Sequence, residues 1–287
     1  MQAIRSILVV MEPNQPEGLA LRRAKLIASV TQSHLHLLVC DKKHDYTDFL
    51  GEVTGTLQEE GFSVSSQQAW HENLHHTIIT VQQAEGCGLV VKRHLPDNPL
   101  KKALLTPDDW KLLRYCPGPV LMVKTDKPWA GGVILAAVDV GNADGEHRTL
   151  HSSIISHAFD IASLAKANLH VVTAHPSPML SAADPVFQLK ESIETRYREQ
   201  CKSFQDEYGF GDEQLHIEEG PADVLIPYVA HQLGAAVTVI GTIARTGLSG
   251  VLMGNTSEVV LDALESDVLV LKPEAVIGHL EELVAQR

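Results

Sequence analysis

Short apolar runs alternate with longer amphipathic segments along the chain, and the alternation runs through twice. Residues 7–11 (ILVVM) and 133–138 (VILAAV) are uninterrupted apolar stretches, the pattern of strands covered on both faces. Each leads into a segment with apolar residues three or four apart, which predicts a helix with one buried face. In the first copy the segment carries Leu19, Arg22, Arg23, Leu26, Ile27 and Val30; in the second, Ile154, Ile155, Ala158, Phe159 and Ala162. Second strands are expected over 35–39 and 169–173, third strands over 63–69 and 214–218, and fourth strands over 89–92 and 236–240. Each copy closes on a near-identical run, PVLMVK at 119–124 and DVLVLK at 267–272.

The copies can be laid over one another. Ile7 matches Ile134, SHLHLLVCD from Ser33 matches ANLHVVTAH from Ala167, and Pro119 matches Asp267. The order of elements is the same and the offset only grows. That is the mark of a duplicated domain with a longer second copy. Most of the growth lies in 185–208, a long charged amphipathic helix where the first copy has only 45–60. Strands alternating with helices at this spacing predict an α/β fold: two tandem open five-stranded parallel sheets, Rossmann-like, with right-handed crossovers. The expected domains are 1–127 and 128–287, joined through the turn-rich TDKPWAGG at 125–132. Ligands on such sheets bind at the carboxyl ends of strands, where strand order reverses.

Composition narrows the function. The 287 residues carry a net charge of −13, which argues against a nucleic-acid partner. The four cysteines are scattered, as reduced thiols of a reducing compartment would be. Neither a signal peptide nor a membrane span is expected, so the cytoplasm is the expected location.

The stretch with chemistry in it is GTIARTGLSGVLMGNTS, 241–257, which follows the fourth strand of the second copy and precedes a helix expected over 258–264. Gly241 lets the chain leave the strand without crowding the crevice. Gly254, Asn255, Thr256 and Ser257 stand where a helix begins, so free backbone N–H groups there favour an anion, to which Arg245 would add charge. The same residues also read as an ordinary capped helix. A Gly-x-x-x-x-Gly-Lys-Ser/Thr loop is absent from the chain.

The first copy has Lys92-Arg93-His94 and no glycine at this place. It reads either as a different anion site or as a solvated basic loop, with residues 106–109 capping the next helix. His71-Glu72-Asn73-Leu74-His75 matches His-Glu-x-x-His, followed by His76, but it falls at a strand-to-helix turn. No metal site and no catalytic residue is assigned.

On the tandem layout and the frame Gly241-Thr-Ile-Ala244, nine residues, Gly254-Asn255, the chain resembles the universal stress protein family, in its tandem two-domain form. Nucleotide-binding members carry Gly-x-x-Gly, nine residues, then Gly-Ser/Thr. Here Ala244 and Asn255 replace the second Gly and the Ser/Thr. The resemblance implies ATP or a related anionic ligand, with Mg accompanying it, in the second domain. It would be held by Asp139 and Ala174 beside the base and ribose, and by Gly241, Thr242, Ala244, Arg245, Gly254, Asn255 and Thr256 beside the phosphates. It implies a stress-response regulatory protein with at most slow hydrolysis. The alternative is a non-enzymatic interaction module with both nucleotide sites lost. Family members commonly dimerise through their fifth strands, which implies an intramolecular pseudo-dimer here and leaves room for a further homodimer.

Overall fold

The computed structural model describes residues 4–13, 15–94, 107–141, 145–179, 182–242, 244–246, 251–253 and 255–285. The chain folds into two units, each packed around its own sheet. One takes in Met1–Asp126, Thr246–Leu252 and Val276–Arg287; the other takes in Lys127–Arg245 and Met253–Ala275.

The first unit runs β1 (Ser6–Val10), α1 (Leu19–Thr31), β2 (His34–Cys40), α2 (Thr47–Glu59), β3 (Val64–Ala69), α3 (Leu74–Ala84), β4 (Leu89–Arg93), α4 (Pro107–Tyr115) and β5 (Val120–Val123). Its strands lie in the order β3-β2-β1-β4-β5, all parallel. β1, β2, β4 and β5 are nearly continuous runs of buried residues, because helices cover both faces. Helix α1 buries Ala20, Ala24, Ile27 and Ala28 as one stripe. Val30, expected on that face, lies off the stripe and is 60% exposed.

The second unit repeats the plan with β6 (Val133–Ala137), α5 (Gly145–Ala165), β7 (Asn168–His175), α6 (Lys190–Tyr208), β8 (Leu215–Glu219), α7 (Ala222–Gln232), β9 (Val237–Gly241), α8 (Asn255–Ala263) and β12 (Asp267–Leu271). Two short strands, β10 (Ala244–Thr246) and β11 (Val251–Met253), pair with each other between β9 and α8, where the sequence reads as a loop. The main strands lie in the order β12-β9-β6-β7-β8, all parallel. A last helix, α9 (Glu274–Ala285), follows the fifth strand, beyond the elements expected from the repeat; Val276 and Leu280 bury one face of it.

The long charged segment divides into a 3-10 turn, Pro185–Gln188, and α6. Helix α6 buries Ile193, Tyr197 and Cys201, four apart, and ends at Gly209, whose φ of +69° suits a left-handed cap. Phe159 is 36% exposed rather than buried, and its ring lies 5.2 Å from that of Tyr208. All four cysteines are free thiols. Burial pushes those of Cys40 and Cys201 up to about 12, which leaves them as unreactive thiols.

Strands β7 and β8 are bridged by an imidazole pair. His170 Nδ1 lies 3.0 Å from His216 Nε2, with the ring planes 17° apart. One nitrogen donates and the other accepts, so the accepting ring must be neutral and the contact fails when both rings are protonated. Burial lowers both pKa values below the ordinary 6.5; the His216 charge lowers that of His170 further, while Glu213 and Glu218 pull the other way. A lowered folded-state pKa means the unfolded chain binds protons first. This stability is therefore complete above about pH 6.5 and is lost as pH falls through the lowered values. Urea unfolding between pH 7.5 and 5 should show that loss, and His216→Gln should flatten it. An unchanged slope in the variant would refute the assignment.

Candidate functional site

In the second unit the chain moves outward from β6 to β7 and β8, then returns to β9 on the other side of β6. The strand order therefore reverses between β6 and β9, the place where open α/β sheets bind ligands. Ala137 is in register with both Val172 and Ile240. Asp139, Ala174 and Thr242 each lie two residues beyond these positions, so three sequence-predicted residues stand side by side along one edge.

They are not equivalent. Asp139 keeps an exposed edge, and its backbone N–H donates to His151 Nε2 at 3.3 Å. Loss of hydration raises the Asp139 pKa, opposed by charge on His147 and by the Gly141 N–H. Ala174 is half-buried and paired with Glu218. Thr242 is 2% exposed; its N–H donates to the Leu271 carbonyl at 2.8 Å and its hydroxyl leans on the same oxygen at 3.4 Å. Its polar groups close the sheet onto β12.

Gly241 is a glycine for a different reason than expected. A Cβ there would lie 2.6 Å from Leu150 Cδ2 and 3.0 Å from Ile154 Cδ1. The space is filled by α5, so the missing side chain serves helix-to-sheet packing. Ala244 and Arg245 belong to β10, and Asn255 and Thr256 open α8, three residues earlier than the sequence suggests. Gly254 and the side chains of these four residues lie outside the described part of the structure.

Sequence reasoning missed the residues around Asp139. Tyr197 reaches from α6 to the turn after β6, and a Cβ on Gly141 would collide with its hydroxyl. Tyr197 is 4% exposed; burial raises its pKa, and the charge on Asp139 raises it further. His175, at the end of β7, meets the Tyr197 ring edge-on at 5.7 Å. His175 Nδ1 donates to the Pro176 carbonyl at 3.0 Å, leaving Nε2 as a buried acceptor with no partner among the described residues. Next to the Asp139 turn, Val140, Arg148, His151, Phe204 and Glu207 line a cleft of about 380 Å³ between α5 and α6. No sequence signal marks Tyr197, because it lies in the segment where the two copies differ most in length.

The same edge of the first unit is occupied by charge. Arg93 Nη1 donates to Glu12 Oε2 at 2.5 Å and to Gln15 Oε1 at 3.1 Å. Lys92 Nζ donates to Asp109 Oδ1 at 2.7 Å, and His94 Nδ1 lies 2.8 Å from Asp109 Oδ2. Lys92 and His94 are buried and Asp109 is fully buried, so the reading of a solvated basic loop does not hold for these residues. Pro107 does open α4, as expected, and the Asp109 carboxylate turns to Lys92 and His94.

The His-Glu-x-x-His stretch lies at a strand-to-helix turn, as its place in the repeat implied: residues 71–73 precede α3, and Leu74 and His75 begin it. Asn73 caps α3 by accepting from the His76 N–H at 3.0 Å, and His71 precedes the helix. His75 faces Asp108 at 3.5 Å. Among the described residues no group of three or more His, Cys, Asp or Glu is placed to hold a metal.

A profile of the universal stress protein family matches residues 133–272. Universal stress protein E of Escherichia coli K12 is 30% identical over 304 aligned positions, covering 96% of each chain. The chain belongs to the universal stress protein family. Its relation to universal stress protein E extends over both units. The universal stress protein E homolog of Haemophilus influenzae is 31% identical over 263 positions, 89% of this chain and 84% of its own. A solved structure from Pseudomonas aeruginosa PAO1, of a protein whose function is unknown, is 69% identical. It covers 100% of this chain and 99% of that one, with a TM-score of 0.91. Among the described residues no helix is long and apolar enough to cross a membrane.

Proposed function

We propose that the chain is a cytoplasmic stress-response regulator whose second unit binds ATP or a related phosphate-bearing ligand at the carboxyl edge of β6 and β9. The observation that carries this reading is Asp139 at the strand-order reversal, combined with a loop that keeps the family spacing from Gly241 to Gly254. Helix α8 starts at Asn255, so its first N–H groups are available to an anion where that loop ends. Asp139 supplies a carboxylate acceptor for a ribose hydroxyl. No second carboxylate beside it is assigned to Mg, and no general base is assigned, so turnover is at most slow.

The test is a titration of ATP with Mg into nucleotide-free protein by calorimetry. Gly254→Arg should abolish binding. Asp139→Asn should weaken it by about 10–100-fold, the worth of a hydrogen bond to a charged group. Absence of binding by the wild type at millimolar ATP would favour the second reading, an interaction module without a nucleotide. That reading draws support from Gly241 and Thr242, whose features serve packing.

A further inference from the structure

The first unit has the same strand-order reversal, between β1 and β4. There the sole basic group with substantial exposure, among those at the end of β4, is Arg93, whose side chain is 30% exposed. It is held by Glu12, a residue only 8% exposed. One Glu12 oxygen accepts from Arg93. The other, Oε1, is buried and accepts no hydrogen bond among the described residues. That oxygen lies against the start of α1: a Cβ on Gly18 would be 3.2 Å from it. Gly18 caps the 13-residue α1 without any side-chain hydrogen bond. A carboxylate with one oxygen on a guanidinium and the other beside a helix N-terminus occupies a place suited to an anion.

We propose that the carboxyl edge of the first unit is an anion site closed by the protein's own carboxylate, and that a phosphate-class anion competes with Glu12 for Arg93. The site is distinct in construction from the one in the second unit. It uses a guanidinium, the Gln15 amide and the start of α1, not a glycine loop. The buried Lys92, His94 and Asp109, which flank Arg93 in the chain or pair with its neighbours, are bound to one another. An incoming anion takes the guanidinium N–H groups, and the displaced Glu12 carboxylate gains water for the oxygen that has no partner. Gln15 is exposed and turns with Arg93 toward the anion.

The probe is inorganic pyrophosphate, titrated by calorimetry into the protein with positions 12 and 93 wild type, with Glu12→Gln, and with the double change Glu12→Gln/Arg93→Ala, each in a Gly254→Arg background that silences the second unit's site. Removing the competing charge should tighten pyrophosphate binding at least tenfold in Glu12→Gln, and Arg93→Ala should cancel the gain. Loss of the Arg93 partner also lowers the stability of Glu12→Gln. The unfolding midpoint therefore gives a second readout: pyrophosphate should raise it in Glu12→Gln in proportion to the logarithm of its concentration, and not in the double variant. Equal affinity in wild type and Glu12→Gln would overturn the proposal. So would a gain that survives Arg93→Ala, which would place the anion elsewhere. Neither result bears on ATP binding by the second unit, which is read separately through Gly254→Arg.

Discussion

Replacing Asp109 with alanine is expected to destabilise the first unit by about 3–5 kcal/mol, the cost of removing one partner from a buried ion pair. Asp109 has no exposed surface, and its two oxygens are taken by Lys92 at 2.7 Å and His94 at 2.8 Å. In the alanine variant the Lys92 ammonium keeps its burial and loses its counter-ion. Urea unfolding should show a lower midpoint at unchanged slope, the sign of lost stability without a change in the surface exposed. The paired replacement Lys92→Met/Asp109→Leu should recover much of the loss, because a buried ion pair exchanged whole for apolar side chains forfeits its attraction and its desolvation cost together. A loss below about 1 kcal/mol in Asp109→Ala would mean that Lys92 simply turns out to water.

Trp129→Ala is expected to cost the second unit about 3–5 kcal/mol, as truncation of a buried aromatic does. Trp129 is 1% exposed and is among the largest fully buried side chains. Its indole N–H donates to Asp267 Oδ2 at 2.8 Å, and Asp267 itself has no exposed surface. Trp129→Phe separates the two contributions. It keeps most of the packing and removes the donor, so it should cost about 1–3 kcal/mol, the penalty for a buried acceptor that loses a partner. Chemical denaturation followed by far-ultraviolet circular dichroism measures both. If phenylalanine proves as costly as alanine, the hydrogen bond and not the volume dominates; if neither shifts the midpoint, the segment before β6 is not fastened to this unit.

Trp129 also marks a limit of sequence reading. TDKPWAGG has the composition of a connector, and Gly131 does sit in a left-handed turn with φ of +67°. One aromatic within it docks into a core, and no periodicity spans a segment that short. The long, repeated signals were legible. Continuous apolar runs identify the inner strands, because a strand covered on both faces leaves no polar register to read. The register of Ala137 with Val172 and Ile240 then brings Asp139, Ala174 and Thr242 to one edge. Helix α9 carries an amphipathic pattern as legible as these, but it has no counterpart in the first copy to draw the eye. The β10–β11 pair carries none, since strands of three residues hold too little pattern to stand apart from a loop.

What the sequence determined by itself is the duplication, the two parallel α/β sheets and the edge formed by the ends of their strands. These follow from which residues are apolar and how far apart they lie, and spacing is a property of the chain alone. What the tertiary structure decided is the use of each polar or small residue at that edge. Gly241 makes room for Leu150 and Ile154, Gly141 for Tyr197, and the Thr242 hydroxyl turns to Leu271. The basic side chains of the first unit are matched by Glu12 and by Asp109, residues 81 and 15–17 positions away in the chain. Periodicity states that a face is buried, but burying a charge or a glycine depends on the partner opposite, and partners from distant segments meet only when the chain has folded.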